Sequence, residues 1–214
     1  MSSVIFPGED LRTNLATWAV LPQRLPAVAR VLQELLPHEP YDPQFRGQYL
    51  ETTYLDTSCF SLRAARRRRN RYLTLRVRCY RPYGSGEEAY ALSAKTGEGK
   101  FRVALAPATA EVILAGGFEK FSLLLPADLL GRLFELTENL PLLAVARVRC
   151  VRYAVEDDKD RLTLDCNVHT DTGKRLAAAV LEFKSMYPDP APEPLVALGL
   201  PPIKLSKFLW ATKV

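Results

Sequence analysis

The chain has 214 residues, 48% of them apolar and 25% charged, with a formal net charge of +5. This is the balance of a soluble globular protein and excludes a chain that is disordered throughout. No apolar run reaches the ~20 residues that cross a bilayer, and the N-terminal stretch MSSVIFPGEDLR has neither the basic nor the apolar region of a signal peptide.

Cys59, Cys79, Cys150 and Cys166 are widely spaced, and the two histidines are His38 and His169. That set has too few ligands at useful spacing for a zinc site, and a cytoplasmic protein with reduced thiols is the default expectation. Gly-rich phosphate loops and the Gly-x-Ser-x-Gly nucleophile elbow are missing. One domain over 1–214 fits the length.

In chain order, Leu15 to Leu21 reads as a strand. Residues 24–36 read as a helix, with Leu25, Val28, Leu32, Leu35 and Leu36 at helical spacing and Pro37 and Pro40 ending it. Further helices are expected at 107–115, at 126–138 and, closed by Gly199, near 193–198. The Pro-rich stretch 188–202 reads as a wrapped loop.

The strands carry the chemistry, because their side chains alternate between two faces. In 72–80, Arg76 and Arg78 oppose Leu75, Val77 and Cys79. In 92–95, Ser93 and Lys95 oppose Leu92 and Ala94. In 100–105, Lys100 and Arg102 oppose Phe101, Val103 and Leu105. In 145–153, Arg147 and Arg149 point away from Val148 and Cys150. In 161–166, Arg161, Thr163 and Asp165 oppose Leu162, Leu164 and Cys166. In 180–184, Glu182 and Lys184 oppose Leu181 and Phe183. Two readings stand open. The charged faces look into solvent, as antiparallel sheets allow, or they converge around an anion. Like charges directly opposite one another repel, and the excess of Arg favours an anion.

Taken in order, the motifs resemble the VTC-type polyphosphate polymerase domain of the CYTH and triphosphate-tunnel superfamily. They are Tyr-Leu-Asp-Thr (54–57), Leu-Arg-Val-Arg-Cys-Tyr (75–80), Ser-Ala-Lys (93–95) and Lys-Phe-Arg (100–102). Arg-Val-Arg (147–149), Arg-Leu-Thr-Leu-Asp (161–165), Leu-Glu-Phe-Lys (181–184) and Leu-Ser-Lys-Phe (205–208) complete the set. The resemblance implies a closed eight-stranded antiparallel β-barrel with flanking helices, whose tunnel holds a triphosphate or a growing polyphosphate. It implies tunnel roles for Arg76, Arg78, Lys95, Arg149, Arg161 and Lys207. Secondary substrate contacts fall to Lys100, Arg102, Arg147, Lys184 and Ser206. Glu182 is implied as the ligand of Mn²⁺ or Mg²⁺.

The chain departs from this pattern in two places. Asn14 and Ala16 or Thr17 stand where the first strand usually offers Glu-x-Lys, and Ser93 stands where a second Glu-x-Lys begins. Three functions follow: extension of polyphosphate from ATP, binding of polyphosphate or triphosphate without turnover, and tunnel hydrolysis of triphosphates. Scarce carboxylates argue against the last. Phosphoryl transfer needs positioning and charge stabilisation rather than a protein nucleophile. Arg supplies both through bidentate contacts to phosphate.

The run Arg-Ala-Ala-Arg-Arg-Arg-Arg-Asn-Arg (63–71) reads as a solvated loop or as an electropositive entrance for an anionic polymer. It lacks the interleaved aromatics that stack bases, which argues against nucleic acid. Asp56 reads as a structural acid, Asp165 as the partner of a neighbouring Arg, and Trp18 and Trp210 as packing residues. No role is expected for His38 or His169. A membrane-bound partner that receives the product is not legible.

Overall fold

Period-two alternation builds one antiparallel sheet. Its strands are β1 (Thr13–Val20), β2 (Gln48–Asp56), β3 (Thr74–Pro82), β4 (Ala89–Lys95), β5 (Lys100–Leu105), β6 (Leu143–Glu156), β7 (Asp160–Thr170) and β8 (Ala179–Ser185). The computed structural model describes residues 13–37, 44–68, 71–84, 86–117 and 123–213. His38 lies outside the described residues, as do Arg12, Arg69 and Asn70. The helices are α1 (Leu25–Leu35), α2 (Ser61–Arg68), α3 (Pro107–Leu114), α4 (Ala127–Thr137), α5 (Glu193–Val196) and α6 (Lys207–Ala211).

The strand order is β1-β8-β7-β6-β2-β3-β4-β5, every pair antiparallel. The expected closed barrel is therefore corrected. β1 and β5 are the edges of an open sheet, and no ladder joins them among the described residues. Closure needs the two edge strands to satisfy one another's backbone groups. The free edge of β1 is already occupied by the segment after α5. Ala19 N–H donates to the Pro201 carbonyl at 3.0 Å, and Ile203 N–H donates to the Thr17 carbonyl at 2.8 Å. These bonds leave β5 no partner groups over that stretch.

The open sheet is nevertheless strongly curled. In a flat sheet β5 and β8 would lie about 29 Å apart, at ~4.8 Å per strand. Yet Lys100 on β5 feels the charge of Lys184 on β8, and Lys95 on β4 feels that of Glu182. Ala91 of β4 and Val180 of β8 also belong to one packed apolar cluster on the concave face, which a flat sheet would hold far apart.

Helices cover the convex face. Leu75, Val77, Leu92 and Ala94 pack with Leu62 of α2, Ile113 of α3 and Leu133 of α4. Leu162, Leu181 and Phe183 pack with Val28 and Leu32 of α1, which stand one helical turn apart. One end of the concave face is also apolar: Leu50, Tyr54, Ala91, Val148 and Cys150 pack beneath Phe208 and Ala211 of α6. The rest of that face is polar.

Of the run 63–71, read as a solvated loop or an electropositive entrance, residues 63–68 lie in α2. The Asp56 carboxylate accepts from the backbone N–H groups of Thr57, Leu62 and Arg63, each at 2.8 Å, and so fixes the start of the helix. Arg66, Arg67 and Arg68 fill its last turn, where the helix dipole favours cations.

Candidate anion-binding face

Directly paired residues of antiparallel strands point to the same face. From β3, Arg76 pairs with Tyr54 and Ser93, and Arg78 pairs with Thr52 and Ala91. Ser93 and Lys95 pair in turn with Arg102 and Lys100 of β5. On the other side Thr52 pairs with Val148 and Gln48 with Arg152 of β6. Arg152 pairs with Asp165, and Glu156 with Arg161. Thr163 pairs with Glu182, and Arg161 with Lys184. The register thus brings Arg76, Arg78, Lys95, Lys100, Arg102, Arg152, Arg161 and Lys184 onto one concave face, and Lys207 reaches it from α6.

Arg147 and Arg149 are not among them, which corrects their expected role. Arg149 pairs with Glu51 and Arg147 with Thr53, one step out of phase with Thr52 and Arg78. Both lie on the opposite face and are bound to Glu51, at 3.3 Å for Arg147 and 2.8 Å for Arg149. Arg152 takes the place on the concave face. The signal was present in Cys150-Val151-Arg152-Tyr153-Ala154-Val155, where Val151, Tyr153 and Val155 continue the face of Arg147 and Arg149, and Tyr153 and Val155 pack with α1. Ser206 does not join the cluster either. It caps α6, its hydroxyl accepting from Leu209 N–H at 3.4 Å.

The carboxylates on this face are few and already held. Asp165, fully buried, accepts from Arg152 Nε at 2.6 Å and from a second guanidinium nitrogen at 2.7 Å. Lys207 Nζ lies 2.8 Å from both Asp165 and Glu182. Burial pushes the Asp165 carboxyl up, but Arg152 and Lys207 outweigh it and hold it well below the usual carboxylate range. Glu182 is likewise held down by Lys207 and Lys184 against its burial. Glu156 lies 3.4 Å from Arg161.

The cations of β3 to β5 also crowd one another. Burial, then the neighbouring Arg78, lowers Arg76 to about 10. Burial, then Arg102 and Arg76, lowers Lys100 to about 4. Among the described residues, the buried Arg76 Nε, Arg78 Nε, Ser93 Oγ and Thr163 Oγ1 find no hydrogen-bond partner. Buried polar atoms are ordinarily satisfied, so these mark where acceptor oxygens belong.

Tyr80, missed in the sequence, stands among these cations. Its hydroxyl accepts from Arg102 at 3.1 Å and Arg78 at 3.4 Å. Burial opposes its ionisation, but Arg78, Arg102 and Arg152 override it and bring the phenol down to about 7. A depressed tyrosine contributes stability that is present above its unfolded value of ~10 and lost as pH falls through ~7. An ultraviolet pH titration is expected to show one tyrosine ionising near neutrality, absent in Tyr80→Phe. A wild-type protein with no tyrosine titrating below the ordinary range removes this reading of the site.

No family model matches the chain, and no curated protein matches it. Solved structures do. A protein of Bacillus halodurans described as a candidate adenylate cyclase is similar at a TM-score of 0.55 and 15% identity, over 85% of this chain and 82% of its own. A protein of Vibrio parahaemolyticus, described in the same words, is similar at 0.55 and 14%, over 95% of this chain and 99% of its own. This chain shares the fold of these two structures. At such identities the likeness establishes the architecture and nothing about the chemistry of this chain.

The resemblance in the sequence implied a divalent cation on Glu182. Among the described residues no group of three His, Cys, Asp or Glu could hold one. Glu182 gives one oxygen to Lys207, while the other stands 3.8 Å from Lys184. That donor set fits Mn²⁺ or Mg²⁺ only with phosphate oxygens completing the shell, as hard cations accept.

Proposed function

We propose that the concave face binds the phosphates of ATP, triphosphate or inorganic polyphosphate, and that the chain extends polyphosphate from ATP. The observation that supports this is the convergence of Arg76, Arg78, Lys95, Lys100 and Arg102 on β3, β4 and β5, with orphaned donors between them. Arg76 and Arg78 grip phosphate oxygens in the plane of the guanidinium. Ser93 and Thr163 donate hydroxyls. Lys207, fixed between Asp165 and Glu182, holds a positive charge at the far side. In transfer, an oxygen of the chain's terminal phosphate attacks the γ-phosphorus of ATP, the bond to ADP breaks, and the chain grows by one phosphate. A metal on Glu182 and the phosphates would neutralise charge on the transferred group.

A second reading, binding without turnover, is favoured by the ion pair that engages Glu182 and by the serine at position 93. One assay separates the two. Purified protein is incubated with ATP and Mn²⁺ or Mg²⁺, and long polyphosphate, free phosphate or neither is recorded. Polymer is expected, with Glu182→Ala lowering its yield about 10²-fold or more while tripolyphosphate binding survives. Unchanged yield in Glu182→Ala removes that residue from the reaction. Tripolyphosphate binding without any product supports the second reading.

A further inference from the structure

Helix α2 extends the cationic surface beyond the sheet. Arg63, Arg66 and Arg67 stand at i, i+3 and i+4, so they share one side of the helix. None of the three makes an ion pair among the described residues. Like charges at this spacing repel, and of the three Arg63 acts on the carboxylate of Asp56. The Arg66 guanidinium lies 3.8 Å above the Tyr72 ring, and that of Arg63 lies 5.5 Å from the Phe60 ring. A stacked guanidinium is held flat but keeps its in-plane N–H edge for a phosphate.

The stripe continues the concave face. Tyr72, under Arg66, precedes Thr74 by two residues, and Thr74 pairs with Lys95. The Arg66 charge reaches Lys95 itself. Lys95 thus feels both Arg76 of β3 and Arg66 of α2, and links the two groups of cations.

We propose that Arg66, with Arg67 and Arg63 beside it on α2, carries phosphates of a polyphosphate chain too long for the concave face, making the protein selective for long chains over triphosphate. This rests on the phosphate-binding reading above. The occupant is inorganic polyphosphate rather than nucleic acid, because the aromatic rings at this rim lie beneath guanidiniums and offer no open face to a base.

The test compares the full chain with an Arg66→Glu/Arg67→Glu variant by calorimetric titration. The probes are tripolyphosphate, long-chain polyphosphate and an oligothymidylate. Tripolyphosphate is expected to bind both proteins within about twofold, which also reports that the variant is folded. Long-chain polyphosphate is expected to lose at least about tenfold in affinity, and Arg66→Ala/Arg67→Ala to lower its salt slope by about 1.4. Equal losses for the short and long phosphates, or no loss for either, overturn the proposal while leaving the phosphate site standing. Oligothymidylate binding wild type as tightly as the long phosphate, and depending on the same arginines, overturns it in favour of nucleic acid. Failure of wild type to bind tripolyphosphate overturns the underlying reading as well.

Discussion

Replacing Asp165 by asparagine is expected to destabilise the protein by about 3–5 kcal/mol, the cost of leaving a buried charge without its partner. Asp165 is fully buried, and the side chain of Arg152 is only 6% exposed. Their two hydrogen bonds at 2.6 and 2.7 Å, with Lys207 at 2.8 Å, form the most enclosed charge group among the described residues. The variant leaves Arg152 with a neutral neighbour and takes one of two anchors from Lys207. Urea or thermal unfolding measures the loss. An Arg152→Met/Asp165→Leu double variant is expected to recover much of it, because apolar replacement of a whole buried pair is often neutral or better. A loss below about 1 kcal/mol for Asp165→Asn would mean that water reaches the pair. The pH dependence has a defined sign. A carboxyl depressed in the native state contributes stability present above its unfolded value of ~4 and lost only as pH falls through the lower native value. Through this group, acid unfolding begins below about pH 4.

Tripolyphosphate at a hundred times its dissociation constant is expected to raise the melting temperature by roughly 5–11 °C. The stabilisation is about 2.7 kcal/mol, and a chain of this size shifts about 2–4 °C per kcal/mol. The cause lies in the repulsion within the cluster. Burial first, then Arg102 and Arg76, brings Lys100 below its ordinary value, and Arg78 and Arg102 bring Tyr80 below its own against burial. A bound polyanion reverses that field and raises both, so binding takes up protons and tightens as pH falls. Calorimetry in buffers of different ionisation enthalpy reads the uptake directly. Arg76→Glu is expected to abolish the thermal shift, since it puts a negative charge where phosphate would lie. Retention of the full shift in Arg76→Glu, or proton release on binding, would contradict this placement of the ligand.

Much of the site follows from alternation within single strands. Arg76 and Arg78 oppose Leu75 and Val77, Lys100 and Arg102 oppose Phe101 and Val103, and Glu182 and Lys184 oppose Leu181 and Phe183. Each set lies as its spacing implies. Period two sorts residues into two faces, but it does not say which face turns inward. For β3, β5, β7 and β8 the apolar set marks the helix-covered side. β6 has fourteen residues and crosses from the apolar end beneath α6 to the charged end. There both faces carry apolar residues at different heights, so the side of Arg147 and Arg149, correctly set apart from Val148 and Cys150, was taken as the inward one and Arg152 was overlooked. Tyr80 was missed because a tyrosine following Arg-x-Arg-x reads as a packing residue until Arg102 arrives from another strand. The loop reading of 63–71 failed over 63–68 for a local reason. Consecutive arginines obscure the helical period, and the carboxylate of Asp56 that starts the helix lies outside the run.

The chain alone determined that charged and apolar residues lie on opposite faces of most strands and that the charge is chiefly guanidinium and ammonium, because covalent alternation sets those faces before any strand meets another. Only the tertiary structure decided the order of the strands, the curl that brings β5 towards β8, and the open edge. Those depend on pairings between distant segments, above all residues 201–203 taking the hydrogen bonds of β1 that a closing strand would need.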